Sequence, residues 1–415
     1  MMKFDDNVEQ TSRSARERIL NAEHQRTSQR LNVLFLPGWY PSEENPVAGT
    51  FIREHARAAA RYHNVTVLYV TRTQTGPRGK WQIQSDKVEE GIRTVRVSWR
   101  EFPVPKTALL LHLWIMAAAY RYIRRSGFSP DIIHAHIYFM AFAAVLLGKF
   151  FRKPVVITEQ SSQFLRGCVP ESKLVDLRRH FQHMAMILPV SAWLQESMQS
   201  FGIVGKFQVV PNTYDASIFF PSTDALKSSK GQSIPRLLTV GLLSEPKGIP
   251  VLLRALHEVQ QTDTHFQLDI VGDGPMRSDY ERLSIELGLQ EKVTFHGMKD
   301  KAIVAKMMQR CTFYVQASLW ETFGVTVVEA MACGRPVVAT EIPTMEEKVD
   351  VSSGVLVPAG DEMALASAIR EMLGSYQSYD GKQIATQAFN LYSHAAVGKA
   401  LNVIYTKVRL QNGTS

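Results

Sequence analysis

The chain predicts an α/β fold built from two doubly wound domains that face each other across a cleft. Three observations carry that expectation. A length of 415 residues exceeds what one hydrophobic core supports and suits two domains of roughly 150 to 200 residues each. From about residue 31 short apolar strands alternate with helical periodicity, as in parallel sheets covered on both faces. A stretch rich in Ser, Pro, Asp, Lys and Gly at 221–233 interrupts the series, and a second series follows it.

Residues 1–30 are polar and charged, with no apolar stretch of the kind a secretion signal carries, and read as an N-terminal extension without assigned function. The apolar run 31–36, closed by Pro37 and Gly38, reads as a buried strand and its loop. A helical stretch over 51–62 leads to a strand at 65–70, and further strands are expected at 132–133, 154–158 and 187–190. Together 31–214 form the N-terminal domain. After a linker at 215–233, strands at 236–240, 267–271, 293–295, 313–315 and 336–339 define a C-terminal domain over 234–390. Residues 391–415 are expected as a helix packing back toward the N-terminal domain.

The longest apolar run, 108–120, is interrupted by His112 and is too short to span a bilayer. It reads as a buried helix, or as a membrane-contact helix, because Arg121, Arg124 and Arg125 follow it. Charge is uneven. Residues 1–214 hold 28 Lys/Arg against 17 Asp/Glu, whereas the remainder holds 19 against 22. A basic N-terminal half suits an anionic partner such as a membrane surface, a lipid phosphate or an acidic glycan. No basic–aromatic pattern of a nucleic-acid module is present, so nucleic acid is not expected as a partner. Cys168, Cys311 and Cys333 are too scattered for a disulfide framework or a zinc site, which favours a reducing, cytoplasmic location. His134 and His136 lack a third ligand and are expected on opposite faces of their strand, so no metal is expected there.

The chemistry concentrates in S-L-W-E-T-F-G-V-T-V-V-E-A-M-A-C-G over 318–334. A strand runs into a loop holding Glu321, Phe323 and Gly324, and a helix starts near Val325 and ends at Gly334. The free N–H groups and dipole at that helix start suit a diphosphate. Glu329, about one turn in, is placed to accept hydrogen bonds from both hydroxyls of a ribose, and Glu321 lies nearer a reacting sugar. Gly49, in P-V-A-G-T, reads as a loop glycine that lets backbone approach a ligand.

Two Glu separated by seven residues, in E-T-F-G-V-T-V-V-E-A-M-A-C-G-R-P-V-V-A-T, resemble the hallmark of family 4 retaining glycosyltransferases. The likeness runs from residue 33 to about 405. It includes P-N-T-Y-D with Phe219 and Pro221, V-G-D-G-P at 271–275, V-T-F-H-G at 293–297 and G-V-L-V-P followed by Asp361. W-Y-P-S-E-E-N-P-V-A-G-T-F at 39–51 resembles the subgroup of bacterial cell-wall and surface-polysaccharide synthesis. The resemblance implies the GT-B fold, a nucleotide-sugar donor as co-substrate with no other cofactor, and a glycan or lipid-linked acceptor. It implies donor contacts from Lys247, Phe323, Gly324, Val325 and Glu329. Backbone near Gly274 and Gly297 would meet the base, while Glu321, His136 and Gln160 would sit around the reacting sugar. A peripheral position on the inner membrane face fits the same subgroup.

This chain departs from that pattern at three places. Leu242 stands where the family carries a phosphate-facing Arg, and Gln160 where many members carry a His. Glu341-Ile342-Pro343-Thr344 stands in place of a Gly-Gly loop, with Glu346 as the candidate for its acidic residue. A degenerate glycan-binding protein and a sugar-nucleotide epimerase share the architecture as alternative readings. The absence of a D-x-D triplet favours metal-independent transfer.

Overall fold

The computed structural model describes residues 30–78, 80–100, 105–222, 234–262 and 265–413. The extension before residue 30 and the linker segment 223–233 lie outside the described residues. The N-terminal half contains β1 (Asn32–Pro37), α1 (Thr50–Ala60), β2 (Asn64–Arg78), β3 (Trp81–Glu89), β4 (Ile92–Arg100) and α2 (Pro105–Arg125). It continues with β5 (Ile132–His136), α3 (Ala141–Phe151), β6 (Val155–Glu159), α4 (Glu171–Phe181), β7 (Met186–Pro189) and α5 (Ala192–Ser200). Their sheet has the order β3-β4-β2-β1-β5-β6-β7 and is parallel except for the β3–β4 hairpin.

The C-terminal half begins with β8 (Arg236–Val240), α6 (Ile249–Gln260), β9 (Gln267–Val271), α7 (Arg277–Glu286), β10 (Val293–Phe295) and α8 (Lys301–Arg310). There follow β11 (Phe313–Gln316), α9 (Val325–Ala332), β12 (Val337–Glu341), α10 (Pro343–Glu346), β13 (Gly354–Pro358), α11 (Glu362–Ser375), α12 (Gly381–Tyr392) and α13 (His394–Gly413). This second sheet is wholly parallel, in the order β10-β9-β8-β11-β12-β13. Two facing α/β domains of this kind are the GT-B fold.

Parallel strands buried on both faces explain why Val33 to Leu36, Ile132, Ile133 and Val155 to Ile157 read as unbroken apolar runs. The β3–β4 hairpin escaped that signal because its outer strand is largely exposed and polar. Its two-residue turn holds both Glu90 (φ 47°) and Gly91 (φ 83°) in the left-handed region, where a glycine at one position spares half the strain. β13 also escaped as a strand, although its G-V-L-V-P segment was picked out as a family motif. The apolar run 108–120 lies within α2, which buries Ile115, Met116, Ala119, Tyr120 and Ile123 at helical spacing and exposes Leu110 and Trp114. Among the described residues no helix is long and apolar enough to cross a membrane.

The chain passes between the domains twice, side by side. Tyr214 donates its N–H to the Tyr392 carbonyl at 3.2 Å, and the Thr213 hydroxyl donates to the same oxygen at 2.8 Å. α13 then lies along α1, so close at Gly398 that a Cβ there would stand 2.3 Å from the Ala58 carbonyl oxygen. Farther along α13, the Tyr405 hydroxyl meets His134 Nδ1 at 2.6 Å under the N-terminal sheet.

A row of buried histidines follows from that packing. His134 stacks on His136 with ring centroids 4.3 Å apart, and His55 meets His136 edge-on at 6.0 Å. Burial pulls the His55 pKa from 6.5 down to about 4, and burial also holds His134 and His136 neutral well below their ordinary value. The unfolded chain takes up these protons below about pH 6.5 while the folded protein resists, so stability falls as pH drops through that window. His55 alone should cost roughly 2 kcal/mol between pH 7.5 and pH 5. Glu159 and Glu329, whose buried carboxyls are raised to a pKa of about 7, act in the opposite direction. The check therefore compares urea unfolding of the wild type and His55→Gln at the two pH values; an equal pH dependence in both would remove the account.

Candidate functional site

In the second sheet β8 has β9 on one side and β11 on the other, so the strand order reverses there. Ligands of open α/β sheets bind at such a point, outside the carboxyl ends of the strands. The loops after β8, β9 and β11 converge there through close backbone contacts. Gly248 (φ 62°) is one of these: a Cβ would lie 1.9 Å from the Ala317 carbonyl oxygen, which no other residue tolerates. Gly272 and Gly297 pair through the Gly272 N–H and the Gly297 carbonyl at 3.0 Å, with Gly274 against Leu243. The resulting hollow is lined by Thr239, Gly241, Leu242, Lys247, Gln316 and Ser318.

Glu321 and Lys247 meet in this hollow. The Lys247 ammonium pairs with Glu321 Oε1, which also accepts from Gln316 Nε2 at 2.8 Å and from the Ser318 hydroxyl at 3.1 Å. Three donors on one oxygen fix the carboxylate and, through it, the lysine. Gln316 and Ser318 were not read from the sequence; their position five and three residues before Glu321, at and just past the end of β11, is the signal that could have found them. Leu242, where a second cation was expected to be missing, is exposed.

α9 begins at Val325 behind Gly324, and no side chain caps that end, so its first N–H groups remain for a ligand. The Phe323 ring, placed with the donor contacts by sequence, turns away instead. It is 3 % exposed, meets Tyr392 edge-on at 5.7 Å and carries the Lys348 ammonium 4.2 Å above its face. Phe323 therefore anchors the loop through its ring. Lys348, also missed, is buried, and burial lowers its pKa to about 8.

Glu329 projects from α9, is 7 % exposed and has no hydrogen bond or ion pair among the described residues. Burial, opposed by Lys301 and reinforced by Glu54, pushes its pKa up to about 7. Its free carboxylate contrasts with the occupied one of Glu321.

The N-terminal side is drier. His136 is fully buried and neither of its ring nitrogens has a partner. The expectation that His134 and His136 face apart fails, because alternation along a strand has period two and i, i+2 residues share a face. Gln160 donates from Nε2 to Asn212 Oδ1 at 3.0 Å, leaving its Oε1 buried and unpaired. Its neighbour Glu159 accepts the N–H groups of Gln160 and Ser161 on one oxygen, and burial raises its pKa to about 7. Gly49 caps α1 in the left-handed region, against the Trp39 carbonyl.

The lobes touch beside Glu321. Arg166 lies over the Trp320 ring at 5.0 Å, the Ser191 hydroxyl donates to the Thr322 carbonyl at 3.3 Å, and Glu347 accepts the Trp193 N–H at 3.1 Å. Glu347, one residue beyond the expected Glu346, thus caps α5 across the cleft. At the domain crossing Glu54, Asp215 and His394 bring their ligand atoms together at metal-binding spacing. Lys301 and Arg57 already supply the positive charge there, so the group is an ion-pair network.

Two family models match: glycosyltransferase family 4 over residues 48–218, and group 1 glycosyl transferases over 234–375. The chain belongs to the family 4, group 1 glycosyltransferases. This glycosyltransferase is 26 % identical over 322 residues to an alpha-D-kanosaminyltransferase of Streptomyces kanamyceticus, covering 72 % of this chain and 82 % of that one. A sucrose-phosphate synthase from Thermosynechococcus elongatus has a similar structure, with a TM-score of 0.72 at 21 % identity over 93 % of this chain and all of that one. HepE of Anabaena, solved with UDP and glucose, gives a TM-score of 0.69 at 18 % identity over 90 % and 98 % of the two chains.

The contact of Gly248 with Ala317 sets a test of the site's frame. Gly248→Ala should destabilise the C-terminal domain by roughly 2 kcal/mol or more and weaken nucleotide binding. Urea unfolding with a binding titration measures both; a wild-type result in each would show that the loops are not held by this contact.

Proposed function

We propose that this glycosyltransferase moves a hexosyl or related sugar from a nucleotide-sugar donor, with retention and without a metal ion, to a glycan or lipid-linked acceptor of surface-polysaccharide synthesis. The observation that carries the reading is the pairing of Lys247 with Glu321 at the switch point, below the uncapped start of α9. In the free protein the lysine is held by Glu321; a diphosphate brings two competing anions to the same cation. Lys247 would then neutralise charge on the departing diphosphate, where it builds during transfer, together with the N–H groups at Val325.

Glu321, freed of its salt bridge and still held by Gln316 and Ser318, would orient the donor sugar through its hydroxyls. Glu329, buried and unpaired, would take the ribose diol. The backbone near Gly274 and Gly297 would meet the base. In the reaction the bond from the anomeric carbon to the phosphate oxygen breaks and a bond to the acceptor oxygen forms on the same face. The acceptor proton passes to the leaving phosphate. Gln160 can hydrogen-bond a sugar but takes no proton, which agrees with that assignment.

For the acceptor, the support is the basic N-terminal half and the exposed face of α2 and α3. Leu110, Trp114 and Phe150 are exposed there, and Arg121 lies 5.3 Å over the Phe150 ring. Apolar side chains next to arginines suit a lipid-linked phosphate at an anionic membrane surface.

Release of nucleoside diphosphate from a panel of UDP-, GDP- and ADP-sugars, with membrane extract as acceptor, tests the reading. Turnover should survive EDTA, and Lys247→Ala should lower kcat about 100-fold or more. Binding without turnover for every donor would favour a non-catalytic glycan-binding role, and epimer formation without acceptor would favour an epimerase.

A further inference from the structure

Lys301, the first residue of α8, reaches from the C-terminal domain to the opposite one. Its ammonium donates to Glu54 Oε1 at 2.8 Å, although Glu54 belongs to α1 of the opposite domain. Glu54 is 3 % exposed, and its other oxygen is held by His394 Nε2 at 2.9 Å and Arg57 at 3.2 Å. Arg57 in turn pairs with Asp215 at 2.7 Å. The carboxylate is thus pinned from α1, α13 and the crossing, and it fixes where the lysine stands. α8 packs beside α9, the helix that carries Glu329.

Glu329 has no neutralising partner of its own. The charged and titratable groups around it are Lys301 from α8, Glu54 from α1, the Tyr314 phenol from β11 and Cys333 at the end of α9. Lys301 is the cation of that set. From α12, Tyr392 turns instead to Phe323. A carboxylate that accepts two hydroxyl hydrogen bonds must be ionised, because the protonated acid gives up one acceptor position and brings a competing donor. Burial beside Glu54 works against ionisation, and Lys301 works for it.

We propose that Lys301 is a positioning residue shared by Glu54 and Glu329, held by the first so that the second stays an anion able to take a ribose diol. The inference rests on the assignment of Glu329 to the ribose. It also couples donor binding to the domain crossing, since the ion that supports Glu329 is anchored on the other lobe. A lobe movement that draws Glu54 away would release Lys301 and change the donor pocket with no contact to the donor itself.

The test is nucleoside diphosphate binding by the full chain at pH 7.0 and pH 8.5, with UDP as probe, or GDP or ADP if the donor panel selects it. Lys301→Met should weaken binding about fivefold at pH 7.0, the effect of raising a carboxylate pKa from about 7 by about one unit, and much of the loss should return at pH 8.5. Lys301→Arg should bind like the wild type. Glu329→Gln should bind weakly at both pH values, with no recovery at pH 8.5. Equal losses for Lys301→Met at the two pH values, or no loss, while Glu329→Gln still binds weakly, would overturn the inference and leave the ribose assignment standing. Wild-type affinity in Glu329→Gln would remove both. Thermal unfolding of each variant separates a loss of fold from a loss of binding.

Discussion

Burial of carboxylates between two lobes is the constraint on which the rest of this structure depends. An acid taken out of water must be paired, hydrogen-bonded or neutralised. Glu54 is paired in full, with Lys301, His394 and Arg57 around it, and these partners outweigh the upward pull of burial to hold its pKa at about 2. Because those partners come from α8, α13 and α1, satisfying one carboxylate fixes the second domain and the C-terminal helix against the first. Removing a single partner would leave an uncompensated charge in the crossing, so the arrangement specifies geometry more than it adds stability.

The hollow at the switch point follows the same physics with less complete pairing. Glu321 is satisfied three times on one oxygen, yet one of those partners, Lys247, is the group a diphosphate would claim. Glu329 is left without a partner. One exchangeable ion pair and one unpaired acid are the groups that the proposed nucleotide-sugar donor, carrying both anions and hydroxyls, would engage. The exposed Leu242 removes a cation that the family pattern would place nearby, and Lys348 does not replace it, because its ammonium faces the Phe323 ring and the Thr344 carbonyl.

Most of the fold was legible because its signals are local. Apolar runs such as 132–133 and 267–271 mark strands that are buried on both faces, and glycines mark the loops at their carboxyl ends. The β3–β4 hairpin was not legible, since an exposed edge strand needs no apolar face and its Glu-Gly turn lacks the usual Asn-Gly sign. In the site, Glu321 and Glu329 were singled out by their places around a glycine loop and a helix start, and Lys247 by the family resemblance, but their relations were not. Phe323 shows why. Loop position put it near the donor, whereas the direction of its ring was set by Tyr392, which lies 69 positions farther along the chain.

By itself, then, the sequence determined the two doubly wound α/β sheets and their order and drew attention to the segment 318–334, because alternating strand and helix patterns and glycine loops act over a few residues. Only the tertiary structure decided which charges meet. Lys301 reaches Glu54 across 247 residues and His394 reaches it across 340, and such pairs form only after both lobes and the returning helix have taken their places. The segment from Glu321 to Glu329 is likewise a local motif whose two acids are distinguished by their surroundings: one closed by a lysine from another loop, the other buried and without a partner among the described residues.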